Sequence, residues 1–271
     1  MTKKDPWPAT PQTVEEYVAH LFNRKCSPST ITVYLSAVAR RHLSQQLTDP
    51  TTNPRLKQIV EGARRLSSRK PDQRLPITPD LLRRLSSRLH LAAPTFYDQH
   101  MVWAAFTMAQ HFLLRASELT SPSPTTFEAS ATLLLQDVRW DTITLHLTIK
   151  RSKTDQHQNG ITLSLTSVAA PAVHSACVTY GQQRQQQQPA DLPFLIFGSG
   201  RYLTRTDLSQ ALKRTLPEGE DSRRYSSHSF RIGGATAAAT GGCSPEAIRK
   251  LGRWKSSAFK RFIRPQCLRV P

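Results

Sequence analysis

Two residues in the C-terminal part of the chain have side chains of a type, and at a spacing, that would let both bind the same phosphate group. His228 and Arg231 stand three positions apart in a segment with helical character, so both side chains project from one face. Such a pair, taken alone, is more often a solvated surface pair. The small residues from Gly233 to Ala239 predict that this helix packs closely against its neighbours. That packing favours the functional interpretation.

A second arginine would complete a clamp on both non-bridging oxygens of a phosphodiester. Arg115 follows the apolar run Phe112-Leu113-Leu114, where a charged side chain is costly unless it is paired. Glu118, one turn further on, is placed to orient it. Two interpretations remain open at this point: a phosphate clamp, or a purely structural ion pair between Arg115 and Glu118.

A lysine in a predicted β-hairpin is a further candidate. Lys153 lies in Arg151-Ser152-Lys153-Thr154, at the end of a strand and before the polar turn from Asp155 to Gly160. Most exposed hairpin lysines contribute only surface charge. Its position relative to the other motifs is what supports a role.

The elements that must position these residues are mainly helical. From Thr13 to Leu66 apolar residues recur at helical spacing, interrupted by the turn signals Ser27-Pro28-Ser29 and Asn53-Pro54, which predicts a small helical bundle. The polar, basic stretch from Ser67 to Arg74 is typical of an exposed linker. We therefore place a helical domain at residues 1–70 and a second domain at 71–271.

The second domain is predicted to be helical with a small three-stranded antiparallel sheet. Apolar β-type runs begin at Leu133-Leu134-Leu135, and alternating patterns follow at Ile143 to Ile149 and Ile161 to Leu165. The glutamine-rich run at 182–188 is typical of a loop or the frayed end of a helix, and no function is assigned to it. Helices are predicted to start at Thr78-Pro79-Asp80 and at Ser244-Pro245-Glu246, and to span Met101 to Leu114, Thr206 to Leu216 and His228 to Thr240. The segment from Ser256 to Phe262 closes the fold.

The charge of the chain points to a polyanionic partner. Its 271 residues include 37 Lys and Arg against 19 Asp and Glu, a formal net charge of +18, which is far more than solubility requires. An excess of positive side chains of this size most often serves to bind nucleic acid. A basic surface that is merely solvated, or one that binds an anionic membrane, would also explain it. The bundle itself is basic, and its cations are either phosphate contacts or ordinary surface charge: Arg40, Arg41, Lys57, Arg64 and Arg65.

Cysteine usage and the N-terminus predict an intracellular protein without metal. The four cysteines are widely scattered, with no Cys-x-x-Cys pair and no clustered histidines. No apolar segment resembles a secretory signal or a membrane span. We expect the nucleus or the cytoplasm.

Three motifs in the C-terminal region together resemble a known signature. His228-Ser229-Phe230-Arg231, Leu251-Gly252-Arg253-Trp254 and Phe262-Ile263-Arg264 are similar to the C-terminal motifs of the tyrosine recombinases, also called phage integrases. Arg115 with Glu118 resembles the family's first catalytic arginine motif, Lys153 its hairpin lysine, and Trp254 its His-or-Trp position. The segment from Ser27 to Ala37 resembles a sequence motif of the family's core-binding domain. The sequence around His228 and Trp254 is most similar to that of recombinases of eukaryotic DIRS-like mobile elements.

The resemblance implies a core-binding domain followed by a catalytic domain that cleaves and rejoins duplex DNA without metal or cofactor. Arg115 and Arg231 would stabilise charge on the phosphorane-like transition state, and Lys153 would protonate the departing 5′-oxygen. His228 would assist proton movement at the nucleophile. Trp254 would buttress the site. The family implies a dimer or tetramer on DNA.

The chain departs from the family at the position of the nucleophile. Phe262 stands where the family has the tyrosine that attacks DNA, and a phenylalanine ring has no oxygen to form a covalent bond. Either the residue is a substitution that silences the enzyme, or the chain is a decayed copy that only binds. The sequence therefore predicts a nucleophile-deficient recombinase, with a catalytically inactive duplex-DNA-binding derivative as the alternative. A helical scaffold that binds RNA or acidic proteins is a third possibility.

Overall fold

The computed structural model describes residues 7–67, 72–151, 160–187 and 189–265. The chain is mainly α-helical with a small antiparallel sheet, which confirms the predicted fold class. None of the helices in these ranges is long and apolar enough to cross a membrane.

The α-helices are α1 (Pro11–Asn23), α2 (Pro28–Ser44), α3 (Pro54–Leu66), α4 (Pro79–Ser86), α5 (Phe96–His111), α6 (Ala116–Leu119), α7 (Pro171–Gln187), α8 (Arg205–Thr215), α9 (Ser227–Thr240) and α10 (Pro245–Leu251). The strands are β1 (Val138–Trp140), β2 (Thr144–Ile149) and β3 (Ile161–Thr166). Short 3₁₀ helices span Pro50–Thr52, Leu89–Leu91, Leu135–Asp137, Ser222–Arg224 and Ser257–Phe262.

Local sequence signals explain where many of the helices begin. Helices α1 to α4 and α10 each start with a proline, whose missing N–H costs nothing at that position. The residue before each proline accepts a backbone N–H bond with its side chain. The predicted starts at Thr78 and Ser244 are confirmed. The capping residues are Thr10, Ser27, Asn53, Thr78 and Ser244.

The chain divides into two compact units, Met1–Asp72 and Gln73–Pro271. In the first unit, α1, α2 and α3 pack around a small apolar core that includes Val18 and Ile31. The cations of this bundle are exposed: Arg40, Arg41, Lys57, Arg64 and Arg65.

Helix α5 lies at the centre of the second unit, packed against α7 and α9. From Met101 to Ala109 its residues are buried on every side except at Trp103, which is half-buried, as predicted for a central helix. The helix ends at His111, three residues earlier than predicted, because Leu113 adopts the left-handed conformation with φ of 48°. This turn directs Arg115 away from the helix axis and into position as the cap of α6.

The sheet has the predicted three antiparallel strands in the order β1-β2-β3. Leu145 of β2 pairs with Leu165 of β3, and Val138 of β1 pairs with Leu147. The prediction that the first strand begins at Leu133-Leu134-Leu135 is wrong. These leucines are all buried, and the carboxylate of Asp137 accepts the N–H of Leu134 at 2.9 Å, which bends the chain into a 3₁₀ turn before β1.

The glutamine-rich run does not form a loop in the described chain. Residues 182–187 are the last residues of α7. Arg184 within the run is fully buried, and its Nη2 donates to the carbonyl of Pro193 at 3.1 Å. This inward cation fixes the end of the helix, which agrees with the second of the two predicted alternatives, the end of a helix. In the closing segment, residues 257–262 form a 3₁₀ helix.

Candidate active site

A single buried carboxylate organises the candidate site. Glu118 is 3% exposed. Its Oε2 accepts the backbone N–H of Arg115 at 2.8 Å, and its Oε1 accepts Nη1 of the same residue at 2.7 Å. The predicted ion pair is therefore present, and it also caps the short helix α6. Residue 115 is held by both its main chain and its side chain.

Arg253 shares this carboxylate and was not singled out by sequence reasoning. Its Nη2 donates to Oε2 of Glu118 at 2.7 Å and to the carbonyl oxygen of Leu113 at 3.2 Å. Its Nη1 donates to the carbonyls of Phe112 and Leu251. Burial lowers the pKa of Arg253, while Glu118 opposes that effect. The sequence signal was a cation directly before Trp254, which gives no hint of a partner 135 positions away.

Arg231 lies beneath the aromatic side chains of the site and is 1% exposed. Its guanidinium donates to the carbonyls of Leu113 and Gly252. Its Cζ is 4.2 Å from the ring centroid of Trp254, a cation–π contact. Burial, with Arg115 and Arg253 close by, lowers the pKa of Arg231 to about 9. The charged form is therefore destabilised where it lies.

The charge of this cluster is unbalanced. Among the described residues, the guanidinium groups of Arg115 and Arg253 pair with the carboxylate of Glu118, and that of Arg231 lies close by. Counted over these described residues, three positive charges and one negative charge give a formal net charge of +2. A buried excess of cation is costly unless an anion compensates it. The arrangement can therefore bind a phosphate-like anion and stabilise additional negative charge on it.

Phe262 lies beside this cluster. Its ring centroid is 5.1 Å from that of Trp254, 5.7 Å from that of His228 and 5.6 Å from Cζ of Arg231. The structure thus brings His228, Arg231, Trp254 and Phe262 together, with Arg115 joined to them through the arginine cluster. Phe259 is instead buried in an apolar cluster with Leu113, Ala235 and Ile248.

Close packing of α9 holds these residues in place, as the small residues of that helix predict. A side chain at Gly233 would overlap the carbonyl oxygen of Ile77, and one at Gly234 would overlap that of Gln110. Only glycine lets α9 approach α5 and the chain just before α4 this closely. The helix that carries His228 and Arg231 is consequently fixed against the central helix.

Lys153 and the hairpin turn lie outside the described residues. At the near end of the hairpin, Nζ of Lys150 pairs with Asp137 at 2.7 Å. Among the described residues, there is no group of three or more His, Cys, Asp or Glu side chains that could hold a metal ion.

Comparison with known proteins identifies the fold. Neither models of known protein families nor curated proteins gave a match. Among solved structures, a Tn1549 transposon integrase in complex with transposon right end DNA is similar at a TM-score of 0.60 and 14% identity, over 97% of this chain and 82% of that chain. A lambda integrase dimer bound to a COC′ core site gives 0.57 and 12%, over 97% and 67%. The XerH site-specific recombinase bound to palindromic difH substrate gives 0.62 and 13%, over 94% and 66%. The chain has the fold of tyrosine recombinases and integrases.

Proposed function

We propose that this chain is a DNA-binding protein of the tyrosine recombinase type, whose arginine cluster holds a backbone phosphate of duplex DNA. The observation that carries the proposal is the buried formal charge of +2 on Arg115, Arg231 and Arg253 around Glu118, next to Phe262. A phosphodiester supplies one negative charge, and the phosphorane-like transition state supplies a second. The cluster therefore complements the transition state better than the ground state.

The proposed reaction is a transesterification with no external energy source. The oxygen of a tyrosine at position 262 attacks phosphorus, the bond from phosphorus to the 5′-oxygen breaks, and Lys153 protonates the departing oxygen. Arg115 and Arg231 donate to the non-bridging oxygens, and His228 assists removal of the tyrosine proton. Trp254 supports Arg231 by stacking. Because Phe262 has no hydroxyl, the chain as written binds and polarises the phosphate but does not form the covalent bond.

Access to Arg231 requires a small rearrangement. The guanidinium is covered by the rings of Trp254 and Phe262, so a phosphate reaches it when these rings turn aside. Binding of the phosphate stabilises the charged form of Arg231, which burial and the neighbouring arginines otherwise destabilise.

The structural neighbours support duplex DNA as the partner. The Tn1549 integrase is in complex with transposon right end DNA and itself carries a tyrosine-to-phenylalanine replacement, while the lambda integrase is bound to a core site and XerH to its difH substrate. We extend the proposal to the assembly and setting that the sequence motifs imply: the bundle at residues 1–70 as a core-binding domain, action as a dimer or tetramer on DNA, and origin in a mobile element acting in the nucleus.

Two assays test the proposal. Gel-shift titration with duplex DNA, RNA of equal length and an acidic protein distinguishes a DNA-binding protein from a general polyanion scaffold, and we expect the duplex to bind tightest. The Phe262→Tyr protein is then incubated with a nicked suicide substrate. We expect a covalent protein–DNA adduct, none from Phe259→Tyr, and none when Arg231→Ala is added, because one such donor contributes about 3 kcal/mol or more.

The outcome also separates the two forms of the proposal. If Phe262→Tyr binds duplex DNA tightly and never forms an adduct, the chain is a binding-only derivative of a recombinase. If duplex DNA binds no better than RNA or the acidic protein, the DNA-binding proposal itself is refuted.

A further inference from the structure

One buried threonine joins helix α9 to the segment that carries position 262. Thr236 is fully buried. The single proton of its Oγ1 is shared between two carbonyls, that of Ile232 in its own helix at 2.7 Å and that of Phe262 at 3.0 Å. The same oxygen accepts the backbone N–H of Arg264 at 3.0 Å. One hydroxyl therefore holds the main chain on both sides of Ile263.

Other threonines in helices do not make this connection. The hydroxyl of Thr215, which is also fully buried, donates to Ala211 and Leu212 within α8. Thr240 likewise donates to two carbonyls of α9. Such bonds to the preceding turn are the ordinary way in which a helical threonine satisfies its hydroxyl. Thr236 adds a donor and an acceptor contact to a segment about 26 positions away.

The threonine lies on the same helix as two members of the candidate site. It follows Arg231 by five positions on α9, which is about 7.5 Å along the helix axis. The main chain of Phe262 is held by Thr236, and the centroid of the Phe262 ring lies 5.6 Å from Cζ of Arg231. Thr236 therefore fixes the main chain at position 262 to the same helix that carries His228 and Arg231 of the candidate site.

We propose that Thr236 is a positioning residue, which sets the main chain at position 262 in register with His228 and Arg231 of the same chain. The inference rests on the proposed function, since it concerns where a nucleophile at position 262 is delivered. Two further contacts restrain the same segment: Phe259 packs into its apolar cluster, and the guanidinium of Arg264 donates to the carbonyl of Arg74. Of these three contacts, the one made by Thr236 is nearest to position 262, and it depends on a single hydroxyl.

The role requires a hydroxyl rather than a side chain of a given shape. Valine has the same shape as threonine but neither donates nor accepts, so Thr236→Val would leave the carbonyl of Phe262 and the N–H of Arg264 without this partner. Serine retains both functions. Thr215→Val removes an equally buried helical hydroxyl that has no contact with the segment, and it serves as the matched control.

The experiment compares the full chain carrying Phe262→Tyr with the same protein carrying Thr236→Val, Thr236→Ser or Thr215→Val. Single-turnover adduct formation is measured on a suicide substrate, and affinity is measured on intact duplex. We expect Thr236→Val to slow adduct formation about tenfold or more, because misplacement of a nucleophile is costly even when binding is unchanged. Thr236→Ser and Thr215→Val stay within about threefold of the parent rate.

An external nucleophile separates delivery of the nucleophile from activation of the phosphate. In the Phe262 chain, hydrogen peroxide can attack phosphorus as its anion, break the bond to the 5′-oxygen and leave that oxygen protonated as a free hydroxyl. This reaction needs the arginine cluster but not residue 262. We expect Thr236→Val to leave the peroxide-dependent cleavage rate within about threefold of the unsubstituted chain.

A structural measurement covers the case in which Thr236→Val is less stable than its control. Hydrogen–deuterium exchange of the peptide containing Arg264 reports the bond directly, and we expect faster exchange in Thr236→Val with parental exchange in Thr236→Ser and Thr215→Val. The inference is overturned if Thr236→Val forms adduct at the parental rate, if Thr215→Val or Thr236→Ser slows it equally, or if exchange is unchanged. Absence of both adduct and peroxide cleavage in proteins that retain Thr236 instead refutes the proposed reaction, and the positioning role with it.

Discussion

Replacement of Glu118 by glutamine tests whether one carboxylate organises the arginine cluster. The substitution preserves the shape of the side chain but removes the negative charge to which Arg115 and Arg253 each donate at 2.7 Å. One amide oxygen can still accept a hydrogen bond, whereas the new NH₂ group faces a guanidinium that also donates. The formal charge of the cluster rises from +2 to +3.

The expected loss of stability follows from the burial of the carboxylate. Breaking a buried ion pair by removing one partner costs about 3–5 kcal/mol, and the retained acceptor places Glu118→Gln near the lower end, at about 3 kcal/mol. For a unit of this size, about 1 kcal/mol corresponds to roughly 2–4 °C in Tm. We therefore expect Tm to fall by about 6–12 °C.

Thermal unfolding followed by circular dichroism measures the effect, with Glu128→Gln as the control. Glu128 pairs with Arg151 at 3.1 Å, but its side chain is 59% exposed, so its loss should cost less than about 1 kcal/mol. Sulfate should raise the Tm of Glu118→Gln more than that of the parent at equal ionic strength, because the variant has the larger uncompensated charge. A fall in Tm no greater than that of Glu128→Gln, or an equal response to sulfate, would refute the organising role.

Three further predictions concern binding, packing and chemistry. Affinity for duplex DNA should fall roughly a thousandfold or more between about 50 and 200 mM salt, as counterion release requires, and a flat titration would contradict backbone recognition. Gly233→Ala should destabilise the protein by about 3 kcal/mol in urea unfolding because its side chain meets the carbonyl of Ile77, whereas Gly62→Ala, with open space around it, should stay within about 1 kcal/mol of the parent. Equal urea midpoints for the two variants would argue against close packing of α9. In the Phe262→Tyr background, Arg253→Lys should slow adduct formation about tenfold at unchanged DNA affinity, because an ammonium cannot span Glu118 and the neighbouring carbonyls as a planar guanidinium does; an unchanged rate would exclude Arg253 from the site.

The sequence by itself determined the elements that depend on neighbouring residues. A capping side chain followed by proline marks the start of a helix within four positions, so Thr78 and Ser244 were sufficient to place two helix starts. Alternation of apolar residues likewise predicted β2 and β3. The spacing of His228 and Arg231 placed them one turn apart on a helix, as found in α9.

Local pattern was not sufficient where a particular hydrogen bond decided the conformation. Leu133-Leu134-Leu135 is apolar enough for a strand, but the carboxylate of Asp137 folds it into a turn. The glutamine-rich composition left a loop and the end of a helix as alternatives, and the buried Arg184, which bonds to the carbonyl of Pro193, decides for the helix. In each case a hydrogen bond that composition does not encode fixed the conformation.

Only the tertiary structure decided how the candidate site is held together. Arg253 is one basic residue among 37 in the sequence, and Thr236 is one small residue in a run of small residues. Their significance arises when folding brings Arg253 to Glu118 and Thr236 to the carbonyl of Phe262. Hydrogen bonds of this kind depend on distances of about 3 Å between groups far apart in the chain, and such distances are fixed by the packing of whole helices rather than by any local motif.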